Sequence, residues 1–172
     1  MSATDESISA DLEPVFLELG KAVFICQAFE SSLCLLHAQL SHDASGEQQG
    51  SFDAAWDFHS TRTLGQLVNA LRQRIELPDD VSAFFESGVK TRNAIVHGFI
   101  AKNIQRIVHP AGRLEVEREL AAMKIEVKER DVLINKFLDT LIAKYGLSNT
   151  ELKRQAGEQW ISVNNVASGS TQ

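Results

Sequence analysis

Apolar side chains recur every three or four residues along most of this chain, and that spacing restricts it to helices. In the first predicted helix, from about Asp11 to about Leu40, the apolar stripe contains Leu19, Val23, Cys26, Leu33 and Leu40. Spacings of three and four place side chains on one face of an α-helix. No segment alternates polar and apolar residues over the length of a strand, so the pattern predicts an all-α fold.

Later segments repeat the helical pattern. A second helix is predicted to follow residues 60–61, and a third to run from about Asp80 to Lys102. A turn is predicted at 109–112. The residues after it are predicted to form one long helix, or two helices that meet near 128–131. Residues 114–116 are alternatively a short extended segment. We expect an up-down bundle of four to five main helices.

The predicted domain spans residues 11–160, between a flexible N-terminus at 1–10 and a flexible C-terminal tail at 161–172. The segment from His42 to Gln49 is predicted to be a loop, and Ser148–Glu151 has the sequence of a capping box that opens a last short helix. A chain of 172 residues, 44% of them hydrophobic, can bury a core of this size.

We expect a cytoplasmic protein with no membrane contact. No apolar run reaches the roughly 18 residues of a membrane span, and the N-terminus is acidic where a signal peptide would be basic. Cys26 and Cys34 lie about 12 Å apart along one predicted helix, which is too far for a disulfide. Both are therefore predicted to be reduced, buried thiols.

The net charge of −6 is unevenly distributed along the chain. Residues 1–59 carry one basic and ten acidic residues (net −9), residues 60–113 carry eight and four (net +4), and residues 114–172 carry eight and nine (net −1). A basic segment in an acidic protein suits a local phosphate-binding surface. The alternative is that its cations, among them Arg62 and Arg72, occupy separate solvated faces.

The basic segment contains an arginine and a histidine close together. Arg92, Asn93 and His97 lie within two turns on the third predicted helix, and Asn93 and His97 are i,i+4 neighbours. A fixed cation beside an imidazole that exchanges a proton near neutral pH suits phosphodiester chemistry. Lys90 and Lys102, on the same predicted helix, are the predicted RNA-binding cations.

Two charged residues interrupt apolar stripes. Glu30 lies on the stripe of the first helix, and Arg92 shares a stripe with Phe85 and Phe99 on the third. A charge directed at a core costs several kcal/mol unless it is paired. We therefore predict that Glu30 and Arg92 form an ion pair that orients Arg92. The alternative is that this pair only joins the two helices.

No metal site and no cofactor are predicted. Cys34 and His37 are three residues apart but lack two further ligands, and the chain has no Cys-x-x-Cys pair and no glycine-rich phosphate loop. His37 is predicted to be a core histidine. His42, His59 and His109 are predicted to lie in loops or at helix ends, without a role.

Three features together resemble the HEPN superfamily of all-α domains, over about residues 15–145. They are the motif ending at His97, a Phe-Glu pair on the central helix and the segment Thr63–Leu67. The defining HEPN motif is an Arg, four to six residues and a His, with a polar residue favoured directly after the Arg. Arg92, Asn93 and His97 match this motif position by position.

The resemblance implies a homodimer with two motifs in a shared cleft, and metal-independent RNA cleavage to a 2′,3′-cyclic phosphate. His97 would move a proton, Arg92 would stabilise the phosphorane, and Asn93 would bind phosphate or fix the imidazole. Many members are toxins, phage-defence effectors or CRISPR-associated ribonucleases, so an antitoxin or a defence-system partner is expected. Some HEPN toxins carry a Tyr that the antitoxin adenylylates two residues after the His; Phe99 occupies that position here, so this form of silencing is not expected.

Two other functions remain open from the sequence. One is a non-catalytic HEPN module that dimerises and binds RNA, a nucleotide or a protein partner. The other is a helical interaction protein in which the Arg92–Glu30 pair is purely structural.

Overall fold

The structure, a computed structural model, describes residues 3–48, 50–146 and 154. Within these residues it contains helices and connecting turns and no strand, so the predicted all-α fold is confirmed. The helices are α1 (Ala3–Ala44), α2 (Ser51–Ser60), α3 (Leu64–Arg74), α4 (Asp79–Asn93), a π-helix (Ala94–Gly98), α5 (Phe99–Val108) and α6 (Pro110–Ala143).

Because α4, the π-helix and α5 are continuous, the described residues form five helical rods. Successive rods alternate in direction, and the first and last of them, α1 and α6, are parallel neighbours. Lys124 donates to Glu18 early in both helices, and Asn135 donates to Ser32 further along both. This arrangement agrees with the predicted up-down bundle.

The core is built around α1, which packs against α2, α3, the π-helix and α6. The fully buried large side chains come from four helices and include Phe29, Leu33, Leu67, Leu71, Phe85, Leu120 and Ile134. Since α1 is apolar on several sides, it can occupy this central position. Cys26 and Cys34 are buried and free, as predicted.

Several predicted helix boundaries are wrong. α1 begins at Ala3 rather than near Asp11, and the rod that contains α4 and α5 ends at Val108 rather than Lys102. The sequence analysis assigns no helix to α2, and α6 is a single uninterrupted helix that includes 114–116. The proposed capping box and C-terminal tail lie outside the described residues, and the domain limits stay predictions.

One described segment, Leu12–Ala44 of α1, is long and apolar enough to cross a membrane by length and composition, and an 18-residue stretch within it has a mean hydropathy of 1.4. Charged residues such as Glu18 and Lys21 interrupt the apolar run, so the sequence pattern does not indicate a membrane span there. The central helix of a soluble bundle passes the same test, and α1 supplies much of this core. The absence of membrane contact stays a prediction.

Candidate functional site

The predicted motif spans the end of α4 and the first four residues of the π-helix. In a π-helix the backbone hydrogen bonds join residues five apart, so side chains at i and i+5 lie closer to one face than they do in an α-helix. Arg92 and His97 have this separation. The wide turn therefore brings their side chains onto one face, and π-helical turns are frequent at functional sites.

The Arg92 guanidinium joins the other three predicted site residues. Its Nε donates to the carboxylate of Glu30 on α1, which confirms the predicted ion pair. Its Nη1 donates to Oδ1 of Asn93 and to Nε2 of His97, each at 3.0 Å. We call these four side chains the Arg92 cluster.

The hydrogen bond from Arg92 determines which tautomer a neutral His97 ring adopts. A guanidinium can only donate, so Nε2 of His97 is the acceptor and the neutral ring carries its hydrogen on Nδ1. Nη2 of Arg92 makes no hydrogen bond within the described part of the chain. Asn93 and His97 are exposed, whereas only 18% of the Arg92 side chain is.

Two cavities flank the Arg92 cluster along α1. One, of about 370 Å³, is mostly apolar and is lined by His97 together with Leu19 and Val23 of α1. The other, of about 340 Å³, is lined by Glu30 and by side chains of α2 and the α2–α3 connection. A polymer whose phosphate contacts Arg92 would therefore find space on both sides.

Sequence reasoning missed the α2 side of the site. Trp56 and Ser60 line the second cavity beside Glu30, on a helix that the sequence analysis does not predict. The spacing of Phe52, Trp56 and His59 was the sequence evidence for that helix.

Cys26 lies one helical turn before Glu30 but is not a nucleophile. Burial raises the pKa of its thiol to about 11, and the nearby Arg92 charge offsets this only in part. The thiol therefore stays protonated at neutral pH, and thiolate chemistry is not available at this site.

The basic segment does not form one continuous cationic surface. Arg72 is paired with Glu86 and Arg106 with Glu119, so part of the positive charge is neutralised. Lys90 and Lys102 are exposed on α4 and α5, and neither forms a hydrogen bond or ion pair with the Arg92 cluster. Their role in RNA binding stays a prediction.

A buried histidine pair lies at the junction of α1, α2 and α3. His37 is fully buried, its Nε2 donates to the Leu67 carbonyl at 2.8 Å, and its ring stacks on His59 with centroids 4.5 Å apart. The prediction for His37 is confirmed. His59 lies in the last turn of α2, at a helix end as predicted, and the packing of α2 buries it. Burial lowers the pKa of both rings, that of His37 to about 4.

The described residues contain no group of three or more His, Cys, Asp or Glu side chains that could hold a metal ion. Comparisons of the chain with protein-family models, curated proteins and solved structures give no match. Function is therefore inferred from the geometry of the Arg92 cluster and from the motif in the sequence.

Proposed function

We propose that this chain is a metal-independent endoribonuclease of the HEPN type. The observation that carries the proposal is the Arg92 guanidinium, which contacts the His97 imidazole and the Asn93 amide and is itself held by Glu30. A proton acceptor and a fixed cation within hydrogen-bond distance are what 2′-hydroxyl attack on a phosphodiester requires.

In the proposed reaction, Nε2 of His97 accepts the proton of a ribose 2′-hydroxyl. The 2′-oxygen attacks the adjacent phosphorus, and the bond from phosphorus to the 5′-oxygen breaks. The leaving 5′-oxygen takes up a proton from water, and His97 returns its proton to the solvent. The products are a 2′,3′-cyclic phosphate and a 5′-hydroxyl. Nη1 of Arg92 has to turn from Nε2 to a phosphate oxygen, and Nη2 supplies the second donor of a bidentate contact.

We propose that the active form is a homodimer in which two Arg92 clusters face one groove. An exposed apolar stripe supports this arrangement, since it starts beside His97 and continues along α5. Its members recur every four residues and are between 36% and 55% exposed: Val96, Ile100, Ile104 and Val108. A second copy packed on this stripe would remove that apolar surface from water.

The proposed biological role, a cytoplasmic toxin or phage-defence effector, rests on the sequence resemblance. A neutralising antitoxin or defence-system partner would have to act without modifying residue 99. Phe99 has no hydroxyl, and its side chain is buried.

An RNase assay in EDTA tests the proposal with the variant His97→Ala and the matched control His109→Ala, which changes an exposed histidine outside the Arg92 cluster. We expect the wild type and His109→Ala to cleave RNA and His97→Ala to be inactive. A substrate with a 2′-deoxyribose at the cleaved position should resist cleavage, because it lacks the nucleophile.

Cleavage of the deoxy substrate, or equal cleavage by His97→Ala, would contradict this mechanism. RNA binding without cleavage would favour the second candidate, a non-catalytic HEPN-type module. The contacts of Nη1 favour that candidate over catalysis, because Nη1 has to leave Asn93 and His97 before it can stabilise a phosphorane, whereas binding of a phosphate can use Nη2 alone.

A further inference from the structure

The cavity on the α2 side of the Arg92 cluster has the composition of a nucleobase pocket. It encloses about 340 Å³, within the range of small-molecule sites. Its polar lining residues are Gln27, Glu30, Ser31, Ser60 and Arg62, and Trp56 is its one aromatic lining residue.

The lining residues offer two kinds of contact that a base needs. Trp56 is half-buried and lines the cavity, so it supplies an aromatic side chain for stacking. The Gln27 amide and the Ser31 hydroxyl line the same cavity from α1, and both can donate and accept hydrogen bonds. Unpaired bases are recognised by this combination of stacking and polar contacts to their edges.

A cation stands at the edge of the same cavity. The Arg62 guanidinium lies 4.4 Å from the centroid of the Phe58 ring. Within the described part of the chain Arg62 forms no ion pair. Its charge is therefore available to a phosphate next to a base in the cavity.

Glu30 connects this cavity to the proposed catalytic residues. Its carboxylate accepts the hydrogen bond from Arg92 Nε and also lines the cavity. The cavity on the other side of the Arg92 cluster involves Val23, seven residues or about 10 Å earlier along α1. A strand laid along α1 would thus pass from one cavity over Arg92 to the other.

We propose that this cavity binds one unpaired nucleobase of the RNA strand whose phosphate contacts Arg92. The base stacks on Trp56, its edge meets Gln27 and Ser31, and Arg62 contacts the neighbouring phosphate. The proposal rests on the proposed function and adds a base-selecting subsite to it.

Fluorescence of Trp56 tests this assignment directly. The chain has two tryptophans, so Trp160→Phe leaves Trp56 as the only one, and His97→Ala supplies a background in which no nuclease activity is expected. The four nucleoside 5′-monophosphates are titrated into this double variant, with ribose 5-phosphate as the probe that lacks a base. We expect saturable quenching that differs among the nucleotides, and none with ribose 5-phosphate.

Adding Arg62→Ala or Gln27→Ala should weaken nucleotide binding about tenfold, as expected for the loss of one good polar contact. Arg118→Ala, which removes an exposed arginine of α6 outside the cavity, is the matched control and should bind like its parent. Circular dichroism of each variant establishes that the helices are retained.

Absence of quenching, equal quenching by ribose 5-phosphate, or equal binding by the Arg62 and Arg118 variants would overturn the assignment. The result is separable from the nuclease proposal, because quenching reports binding by an inactive protein. If the wild type cleaves RNA but nucleotides do not quench the double variant, only the base-pocket proposal is refuted. If nucleotides quench the double variant but the wild type does not cleave RNA, only the nuclease proposal is refuted.

Discussion

Nη1 of Arg92 donates to Nε2 of His97 across 3.0 Å, so the cation and the proposed base are held by one hydrogen bond. The same guanidinium is bound to Glu30 on α1. A change at Glu30 therefore reaches His97 through Arg92, although Glu30 and His97 belong to different helices. This coupling makes Glu30 a positioning residue.

We expect Glu30→Gln to lower the free energy of unfolding by about 1–2 kcal/mol, because a mostly covered guanidinium loses its counter-charge. The partial exposure of the Glu30 carboxylate, 30%, keeps the loss below that of a fully buried pair. Glu86→Gln is the matched control, since Glu86 pairs with Arg72 and both side chains are more than 40% exposed. That variant should change stability by less than about 0.5 kcal/mol. Urea unfolding measures the stability of both variants. Equal losses in Glu30→Gln and Glu86→Gln would contradict a larger contribution of the Arg92–Glu30 pair.

The apolar stripe on α5 gives a prediction about assembly. Ile104 is 49% exposed at its centre, so Ile104→Glu should shift the proposed homodimer toward monomer without loss of helix content. A carboxylate in a dimer interface would be buried without a partner. Ile125→Glu, on α6 and 57% exposed, is the control. Sedimentation equilibrium distinguishes them; dissociation by the Ile125 variant alone would place the interface elsewhere.

Two glycines in helices should respond in opposite directions to alanine. A Cβ on Gly88 would lie 2.9 Å from Cγ of Arg130, whose guanidinium packs over the Phe84 ring, so Gly88→Ala should destabilise the fold by about 1–3 kcal/mol. A Cβ on Gly20 meets no atom within 4 Å. Gly20→Ala should therefore stabilise α1 by about 0.5–1 kcal/mol. Thermal unfolding checks both signs, and a stabilising Gly88→Ala would show that Arg130 can move aside.

Acid should destabilise the fold through His37. Burial lowers the pKa of His37 to about 4, whereas the unfolded side chain titrates near 6.5. Between these values the unfolded state binds the extra proton, so stability falls as pH drops from 6.5 to 4. This difference is worth roughly 3 kcal/mol.

The measurement compares His37→Gln with the exposed control His109→Gln by urea unfolding at several pH values. The control should keep the wild-type slope between pH 6.5 and 4, and His37→Gln should reduce it, leaving the contribution of His59. Equal slopes in the two variants would show that His37 does not cause the acid sensitivity.

The sequence predicted the helical fold and the ion pair because both leave a clear trace in the apolar pattern. Glu30 and Arg92 each interrupt an apolar stripe, and pairing is the least costly way to cover both. The sequence signals for α2 are weaker. It is only ten residues long, and its N-cap, Gly50, has a left-handed backbone (φ 79°) and no side-chain cap.

The π-helix could not be predicted for a different reason. One wide turn changes the spacing of apolar residues too little to be detected over five positions. Asn93 and His97, which an α-helix would align, are both exposed, whereas Arg92 and His97 form the hydrogen bond.

The π-helical turn also determines how α5 is rotated about the helix axis relative to α4. Each α-helical residue advances the helix by about 100°, so winding the same segment as a regular α-helix would rotate α5 by about that angle relative to α4. Phe99, Asn103 and Ile107, now buried, would then swing away from α6. Burial of these three side chains therefore stabilises the π-helical turn. The packing of α5 in this way determines the geometry of the contact between Arg92 and His97.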